Sequence, residues 1–527
     1  MRKIVKRVVT GWLVGTMTVG LLAGCGNSKS EETKKEDTKG TADSMTIAVT
    51  SFADTLEPTE QYFSWVVTRY GVGETLVKFD ENGELTECLA ESWENSEDGL
   101  SWTFAIRENV KFSNGDDMTP EMVKASLERT FEKSDRAVSF FEPESIEVDG
   151  QNVVITTKEP VATLPGSLAD PLFLIVDTAV DDSTFAMEGP ICTGPYVVES
   201  FDPTTTCVVV RNENYWGGEV PMKKVELKCV DDQTTRSMAL QSGEVQVAYN
   251  LKTENLVDFE GNEEYQIEEL KSLRSTYAFM NQNGPLSDLT LRRAVIMGLD
   301  RETYVDQLLD GGATAGKAPV PPTLDYGFDE LVDENAYDVE GAKDLLEEGG
   351  YKDIDGDGYV ETPDGEALDL EFVIYTSREE LNVYAQAAQA SLKEIGIKLS
   401  LNVVSYETLL DLRDSGDYDL LIWNVLVANT GDPEKYLREN WYSTSSSNTM
   451  GYSNKKVDKY LDELLVEFDE EKRKELIIEI QQEIMNDAAT VFFGYETTYL
   501  ISSRKVSGLK LYPMDYYWLT QDVKLSE

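Results

Sequence analysis

The chain is long and strongly acidic. It has 527 residues, with 98 Asp and Glu against 47 Lys and Arg, a formal net charge of −51 and no histidine. This charge disfavours binding to nucleic acid or to anionic lipid headgroups. The lack of histidine excludes Ser-His-Asp and Cys-His catalysis and metal binding through imidazole.

Residues 1–24 are predicted to be a signal peptide. Residues 1–7 carry four cations and no acid, and the stretch from Val8 to Ala23 is apolar or small almost throughout. The stretch is shorter than the about 20 residues that a spanning helix needs. It ends in Leu22-Ala23-Gly24-Cys25, which is typical of a lipoprotein cleavage site. We therefore expect cleavage before Cys25 and lipidation of its thiol, with an ordinary signal peptide as the alternative.

Residues 25–44 are predicted to be this lipidated cysteine and a flexible tether. The segment from Gly26 to Ser44 is rich in Ser, Thr, Lys and Glu and has too few apolar residues to form a core. Ordered structure is expected from Met45 to Val49, where alternation typical of a strand begins. About 480 residues remain after the tether, enough for two or three domains.

Strand-like and helical segments alternate along the rest of the chain. Predicted strands are 152–156, 207–210, 370–374 and 418–422. Predicted helices are 120–132, 288–297, 339–348, 378–395 and 454–467 running on through 470–486. Thr119 is the expected N-cap of the first helix, with Pro120 at its first position. The alternation favours a mixed α/β fold in more than one lobe.

The cysteines and acids do not indicate catalysis or a metal centre. After Cys25 the cysteines are Cys88, Cys192, Cys207 and Cys229, none with the C-x-x-C spacing of a zinc site. Cys207 and Cys229 flank a predicted hairpin and could form a disulfide, which the sequence leaves open. A hydrolase using two carboxylates is disfavoured, because any chain with 98 acids contains suggestive pairs. We predict no enzyme, no catalytic residues and no cofactor.

One acidic segment is similar to the start of a calcium loop. In Asp353-Ile354-Asp355-Gly356-Asp357-Gly358 the acids alternate and glycine stands at the sixth position. The twelfth position, where such loops place a glutamate, is Asp364. A solvated turn is favoured over a calcium site, and no metal ligand is predicted.

Several sequence blocks, in order along the mature chain, resemble family 5 extracellular solute-binding proteins. They are Leu89-Ala90-Glu91-Ser92-Trp93-Glu94, Arg107-Glu108-Asn109-Val110-Lys111-Phe112-Ser113-Asn114-Gly115, Thr193-Gly194-Pro195-Tyr196, Arg211-Asn212-Glu213-Asn214-Tyr215-Trp216-Gly217, Leu291-Arg292-Arg293-Ala294-Val295 and Thr430-Gly431-Asp432-Pro433.

The resemblance implies an α/β, two-lobed, periplasmic-binding-protein-like fold (type II, cluster C) with an additional inserted domain. Lobe I would comprise 45–76, 190–275 and 504–527. The inserted domain would comprise 77–189, and lobe II would comprise 276–503. Hinged closure of the lobes would bury the solute.

The resemblance also implies the function. The chain would be a monomeric, extracytoplasmic lipoprotein of an ABC importer, anchored to the cell membrane, that delivers a short peptide or related small solute to the permease and ATPase subunits. A carboxylate-bearing nickel chelate is the alternative ligand within the family. A receptor for a peptide signal, without transport, is the alternative in another class.

Arg136 lies where nickel-chelate binders of this family place an arginine that holds a carboxylate. An arginine fork suits a ligand carboxylate. A surface arginine that pairs with a nearby acid is the alternative interpretation.

The Asp-Pro loop matches neither subgroup of the family. Nickel binders carry Trp, Tyr and His at positions that here are Val427, Gly431 and Glu434. Dipeptide binders have an Asp for the ligand's amine, where this chain has Asn429. We include Asn429 and Asp432 among the predicted ligand-binding residues.

Four further residues are predicted to line the cleft. Trp423 and Asn424 follow the strand 418–422 and could stack on and hydrogen-bond to the solute, although a Trp at this point is equally compatible with the core. Arg69 and Tyr70 lie where the first lobe of the family faces the cleft.

Overall fold

The computed structural model describes residues 41–50, 52–375 and 378–526. The predicted signal peptide, Cys25 and nearly all of the tether lie outside these residues. Within the described part of the chain, no helix has both the length and the apolar character to cross a membrane.

The described residues form sheets of very different size. The strands are β1 (Thr41–Ala42), β2 (Ser44–Val49), β3 (Val77–Phe79), β4 (Leu85–Glu87), β5 (Ala90–Asn95), β6 (Ser101–Ile106), β7 (Pro143–Asp149), β8 (Asn152–Thr157), β9 (Tyr196–Asp202), β10 (Thr206–Arg211), β11 (Lys224–Cys229), β12 (Val247–Tyr249), β13 (Tyr265–Lys271), β14 (Arg274–Met280), β15 (Ala313–Ala315), β16 (Asp369–Tyr375), β17 (Lys398–Val404), β18 (Leu420–Leu426), β19 (Thr490–Ser503), β20 (Val506–Ser507) and β21 (Lys524–Ser526).

Most of the longer helices follow β12 in the chain. The helices are α1 (Ser64–Arg69), α2 (Pro120–Lys133), α3 (Leu164–Ser167), α4 (Phe185–Glu188), α5 (Gln233–Gln241), α6 (Thr253–Leu256), α7 (Leu289–Met297), α8 (Arg301–Thr303), α9 (Val339–Glu348), α10 (Glu379–Glu394), α11 (Tyr406–Ser415), α12 (Glu434–Trp441), α13 (Lys455–Leu465) and α14 (Glu470–Asn486).

The largest sheet runs through both halves of the molecule. Its strand order is β17-β16-β18-β14-β19-β12-β2-β11-β10-β9, and β13 and β15 pair with β19 beside this path. The first part of β19 pairs with β14 and β15, and the last part pairs with β12 and β13. A single long strand therefore connects the two halves.

A separate four-stranded antiparallel sheet has the order β5-β6-β8-β7. In β6 and β8 buried residues alternate with more exposed ones, as expected for a sheet with one face on a core. Helix α2 packs against β7 and β8. Its predicted cap is confirmed, since the hydroxyl of Thr119 accepts a hydrogen bond from the Met122 N–H at 3.4 Å and Pro120 is the first helical residue.

Two large apolar cores underlie this arrangement. One is built around β2, β10, β11 and β12 and includes Tyr70 and Trp518. The other extends from the four-stranded sheet to β14, β16 and β18 and includes Phe104, Phe372 and Trp441. The predicted domain boundaries stay predictions, and β19 belongs to both halves of the large sheet.

Most predicted elements are confirmed to within two residues. The predicted helix 339–348 is α9, and the predicted strand 370–374 is contained in β16. The structure differs at 454–486, where two helices replace the continuous one. The carboxylate of Asp469 accepts a hydrogen bond from the Lys472 N–H at 3.1 Å and caps α14, while Asp469 itself is extended. The predicted strand 418–422 begins later, as β18, and contains both Trp423 and Asn424.

The cysteines and the acidic segment have defined surroundings. Cys88, Cys192, Cys207 and Cys229 are free thiols, so the disulfide that the sequence left open is absent among the described residues.

The carboxylates of Asp353, Asp355 and Asp357 in the acidic segment are exposed and lie within 4.8 Å of one another. They accept hydrogen bonds from backbone N–H groups of the same turn, for example Gly356 at 2.6 Å and Tyr359 at 2.8 Å.

Candidate ligand-binding site

The ends of several strands of the large sheet lie close together. Strand β14 begins at Arg274 and runs antiparallel to β18 and β19, so that Thr276 lies opposite Asn424 and Gly494. Strand β16 is parallel to β18 and ends at Tyr375, just before α10. This geometry brings together polar and charged side chains from distant parts of the chain. We call them the strand-end cluster: Arg274, Thr276, Arg378, Glu380, Asn424 and Glu496.

Arg274 has fewer partners than a guanidinium normally has. One of its terminal nitrogens (Nη1) donates a hydrogen bond to Oδ1 of Asn424 at 3.2 Å. No salt bridge joins Arg274 to a described carboxylate, although the side chain is half-buried. Burial lowers the pKa of Arg274, and the neighbouring charge of Arg378 lowers it further. The charge of Asp515 partly offsets these effects, but Arg274 has no direct carboxylate partner among the described residues.

Arg378 precedes α10 and carries the second guanidinium. Its Nη1 lies 3.6 Å from Oε1 of Glu380, beyond the distance of a strong charge-assisted hydrogen bond. Burial opposes its charge, but Glu380 and other anionic neighbours outweigh that effect and raise the pKa of Arg378. The side chain keeps 36% of its accessible surface, so it can still receive another partner.

Glu496 lies on β19, next to Thr276 and Asn424 and within the electrostatic influence of Arg378. It accepts a short hydrogen bond from the Thr276 hydroxyl, and its Oε2 lies 3.4 Å from Nδ2 of Asn424. Burial, followed by the negative charge of Glu380, raises the pKa of the Glu496 carboxyl from 4.5 to about 7. This carboxyl therefore keeps its proton to a higher pH than an exposed glutamate does.

Aromatic rings flank the strand-end cluster. The rings of Tyr375 and Tyr406 lie 5.4 Å apart, and Tyr406 stacks on Trp423 at 6.4 Å. The guanidinium of Arg413 lies 4.7 Å from the centre of the Trp423 ring. The rings of Tyr375 and Tyr406 provide an apolar wall beside the charged groups.

The predicted residues of the first lobe are engaged in the fold. Nη2 of Arg69 contacts Oδ2 of Asp515 at 2.6 Å, and the guanidinium lies over Trp65 and Trp518 at 4.1 and 4.3 Å. Tyr70 is only 1% exposed and belongs to the core, and its predicted role in the cleft stays a prediction. Arg69 holds the C-terminal segment through its Nε and Nη2 groups, both of which donate to Asp515.

Arg136 lies at the surface, just after α2, and not in the strand-end cluster. Its Nη1 donates to the carbonyl of Gln61, and its guanidinium lies 3.9 Å from the centre of the Tyr62 ring. No salt bridge joins Arg136 to a described acid. Neither predicted role of Arg136 is tested by these contacts, and both stay predictions.

The Asp-Pro loop is held by its own contacts. Nδ2 of Asn429 donates to Oδ2 of Asp170 at 3.2 Å. Asp432 forms an ion pair with Arg473, with Nη2 2.8 Å from Oδ2, and caps α12 through the Glu434 N–H at 2.7 Å. Gly431 has a φ of +79° and packs on the Phe79 ring, where a Cβ would come within 2.8 Å. The loop thus fixes α12 against its surroundings.

Of the predicted pair on β18, only Asn424 belongs to the strand-end cluster. Successive strand residues point to opposite faces, and Trp423 accordingly contacts Phe279, at 6.2 Å between ring centres, and Tyr406. Sequence reasoning missed Arg274, Arg378, Glu380 and Glu496. The sequence gives only a weak indication of these residues, because they are charged residues at the ends of strands and helices and no recognisable motif surrounds them.

The two-lobed α/β architecture and this cluster of charges with few direct partners are compatible with a solute-binding protein. Residues 84–448 match the family described as bacterial extracellular solute-binding proteins, family 5. The chain belongs to this family, so the predicted family, fold class and function as the substrate-binding component of an importer are confirmed.

Known relatives agree with this assignment. The probable D,D-dipeptide-binding periplasmic protein DdpA of Escherichia coli is 27% identical over 494 residues, which cover 90% of this chain and 92% of DdpA. The nickel ABC transporter from Bacillus halodurans is 29% identical, with a TM-score of 0.73 and coverage of 92% of this chain and 100% of that one. NikA from Brucella suis, solved with Fe(III)-EDTA, has a TM-score of 0.82 at 23% identity, with the same coverages, and supports the fold.

Proposed function

We propose that this chain captures a short peptide by its carboxylate and delivers it to an ABC permease and its ATPase. The observation that carries the proposal is Arg274, a half-buried guanidinium that has one amide partner and no described carboxylate partner. Enclosed charges are costly unless they are paired. A ligand carboxylate would supply the missing anion, bound through two parallel N–H···O bonds of the kind that arginine favours.

The surroundings of Arg274 suit a peptide. Arg378 offers a second cation to the same carboxylate, and the rings of Tyr375 and Tyr406 offer apolar contact to side chains. The name of the DdpA relative also points to a dipeptide. Binding of this kind requires no bond chemistry, so the proposal includes no catalytic step.

A metal chelate is the second candidate, because a chelator's carboxylates would suit the same two arginines. The similarity to the nickel transporter from Bacillus halodurans favours this class. Since the chain has no histidine, the protein would hold the chelator rather than coordinate the metal through imidazole.

Thermal shift of the purified protein separates these ligands. The probes are di-, tri- and tetra-alanine, each with a free and with an amidated C-terminus, and Ni²⁺ alone or with a polycarboxylate chelator. A ligand at 100 times its dissociation constant stabilises the folded state by about 2.7 kcal/mol. We expect stabilisation by peptides with a free carboxylate and none by the amides. Equal stabilisation by the amidated peptides would contradict the proposal, and a response to the chelate alone would assign the second candidate.

Closure of two lobes around the ligand is the proposed mechanism. Lobe I would comprise 45–76, 190–275 and 504–527, with the inserted domain at 77–189 and lobe II at 276–503. Strand β19, shared by both halves of the large sheet, would form part of the hinge region. The ligand would favour the closed state by contacting both lobes, and the monomeric receptor would then present that state to the permease.

The sequence of residues 1–44 is the basis for proposing a membrane anchor. We infer cleavage after Gly24 and lipidation of Cys25, because the apolar stretch ends in Leu22-Ala23-Gly24-Cys25. The predicted tether, residues 26–44, is shortened at its end, since Thr41 and Ala42 form β1 and Ser44 begins β2. Metabolic labelling with radioactive palmitate tests this inference. Label that enters the wild-type protein but not Cys25→Ala supports the anchor, and equal absence of label from both contradicts it.

A further inference from the structure

Two carboxylates in the strand-end cluster have no role in binding a ligand carboxylate. Glu380 lies in the first turn of α10, and Glu496 lies on β19. No salt bridge joins Glu496 to a described cation, and its partners are the neutral Thr276 and Asn424. The closest approach of Glu380 to Arg378 is 3.6 Å, which is longer than a strong charge-assisted hydrogen bond. The cluster thus contains two carboxylates, Glu380 and Glu496, beside its two arginines.

The groups around Glu496 come from four elements. They are Arg378, Glu380 and Tyr384 from α10 and the residue before it, Thr276 from β14, Asn424 from β18 and Tyr375 from β16. Arg274 of β14 lies one hydrogen bond further away, on Asn424. The hydroxyl of Tyr384 is fully buried and has no hydrogen-bond partner among the described residues. Burial and the charge of Glu380 favour the protonated form of Glu496, whereas the hydrogen bond from Thr276 and the charge of Arg378 favour its ionised form.

We propose that Glu380 and Glu496 form the subsite for a cationic group of the ligand, so that the receptor selects zwitterionic solutes. This inference rests on the proposed function, because the ligand carboxylate is assigned to Arg274 and Arg378. A ligand ammonium would donate hydrogen bonds to the Glu496 carboxylate. Where Glu496 is protonated before binding, its proton leaves to solvent as the ammonium arrives, and no bond to carbon changes.

Titration calorimetry of the purified full chain with tetra-alanine tests the inference. The peptide is used in three forms, with both termini free, N-acetylated and C-amidated, at pH 7 in two buffers of different ionisation enthalpy. We expect the N-acetylated peptide to bind about 10- to 100-fold more weakly than the free peptide, the range of a hydrogen bond to a charged group. We also expect net release of protons on binding of the free peptide.

Two variants complete the test. Glu496→Gln keeps the size of the side chain and an oxygen that can accept from Thr276. It should bind the free and N-acetylated peptides with the same affinity and release no proton. Glu269→Gln, an exposed residue of the neighbouring strand β13, is the matched control and should behave as the wild type.

The outcomes separate this inference from the proposed function. Equal binding of free and N-acetylated peptides by the wild type, with the amidated form still rejected, would overturn the cationic subsite and leave the carboxylate site standing. If the wild type binds the N-acetylated and the C-amidated peptides as tightly as the free peptide, both the cationic subsite and the carboxylate site are overturned. An unchanged preference for the free amine in Glu496→Gln would also overturn the role of Glu496.

Discussion

Two arginines of this protein, Arg69 and Arg274, show how differently the same side chain can be used. Arg69 has an ion pair with Asp515 and donates two hydrogen bonds to the Asp515 carbonyl. Its guanidinium also lies over the rings of Trp65 and Trp518. Arg274 has one hydrogen bond to Asn424. A guanidinium whose donors are used within the fold stabilises the fold, whereas one whose donors are unused is available to a ligand.

The sharpest way to test this comparison is to remove the partner of Arg69. Asp515→Asn leaves a buried guanidinium without its anion, and we expect the free energy of unfolding to fall by about 3 kcal/mol. Chemical denaturation of the ligand-free protein measures this loss. The preference for peptides with a free carboxylate should be kept. A variant of unchanged stability that has lost the preference would place Arg69 in the binding site instead.

Arg274→Gln should have the opposite pattern. We expect peptide affinity to fall by about 2 kcal/mol, because a charged partner of the ligand carboxylate is lost. The stability of the ligand-free protein should stay the same or rise, since an unpaired, half-buried charge is removed. Calorimetry and thermal unfolding measure the two effects. Arg504→Gln, an exposed arginine on the surface, is the control, and equal loss of affinity in both variants would refute the assignment.

We expect substitutions in the Asp-Pro loop to lower stability without changing peptide affinity, as for the partner of Arg69 and in contrast to Arg274. Asn429→Ala removes the hydrogen bond to Asp170, and we expect a loss of stability of about 1 kcal/mol. Peptide affinity should not change. A loss of affinity without a loss of stability would return Asn429 to the ligand-binding residues that the sequence predicts.

The smallest expected effect is a pH dependence of stability. The pKa of Glu496 is raised from 4.5 to about 7 on folding, so the folded state binds this proton more tightly than the unfolded state. Its contribution to stability is therefore lost as the pH rises from about 4.5 through about 7. Glu496→Gln removes this loss, and its melting temperature relative to the wild type should increase from pH 5 to pH 8. A constant difference, as expected for Glu269→Gln, would contradict the raised pKa.

The sequence predicts the fold better than the site, for physical reasons. Helices such as α9 and α14 are set by local periodicity and capping residues, which a short stretch of sequence contains. The break before α14 was missed because one aspartate cap, Asp469, outweighs a helical pattern on both sides.

The strand-end cluster depends instead on contacts between distant residues. Thr276 and Glu496 are 220 positions apart in the chain, and their hydrogen bond exists only because β14 pairs with β19. Sequence motifs led to Asp432, whose charge is already used by Arg473. Whether a charge is paired can be known only from the three-dimensional structure, and that decides between a structural and a ligand-binding role.

A crystal structure of the protein with a stabilising peptide, such as tetra-alanine, tests the central claim most directly. We expect the peptide carboxylate to lie about 2.8 Å from the terminal nitrogens of Arg274, the distance of a charge-assisted hydrogen bond. A carboxylate bound at Arg136 or left in solvent, with Arg274 still bonded only to Asn424, would contradict the account.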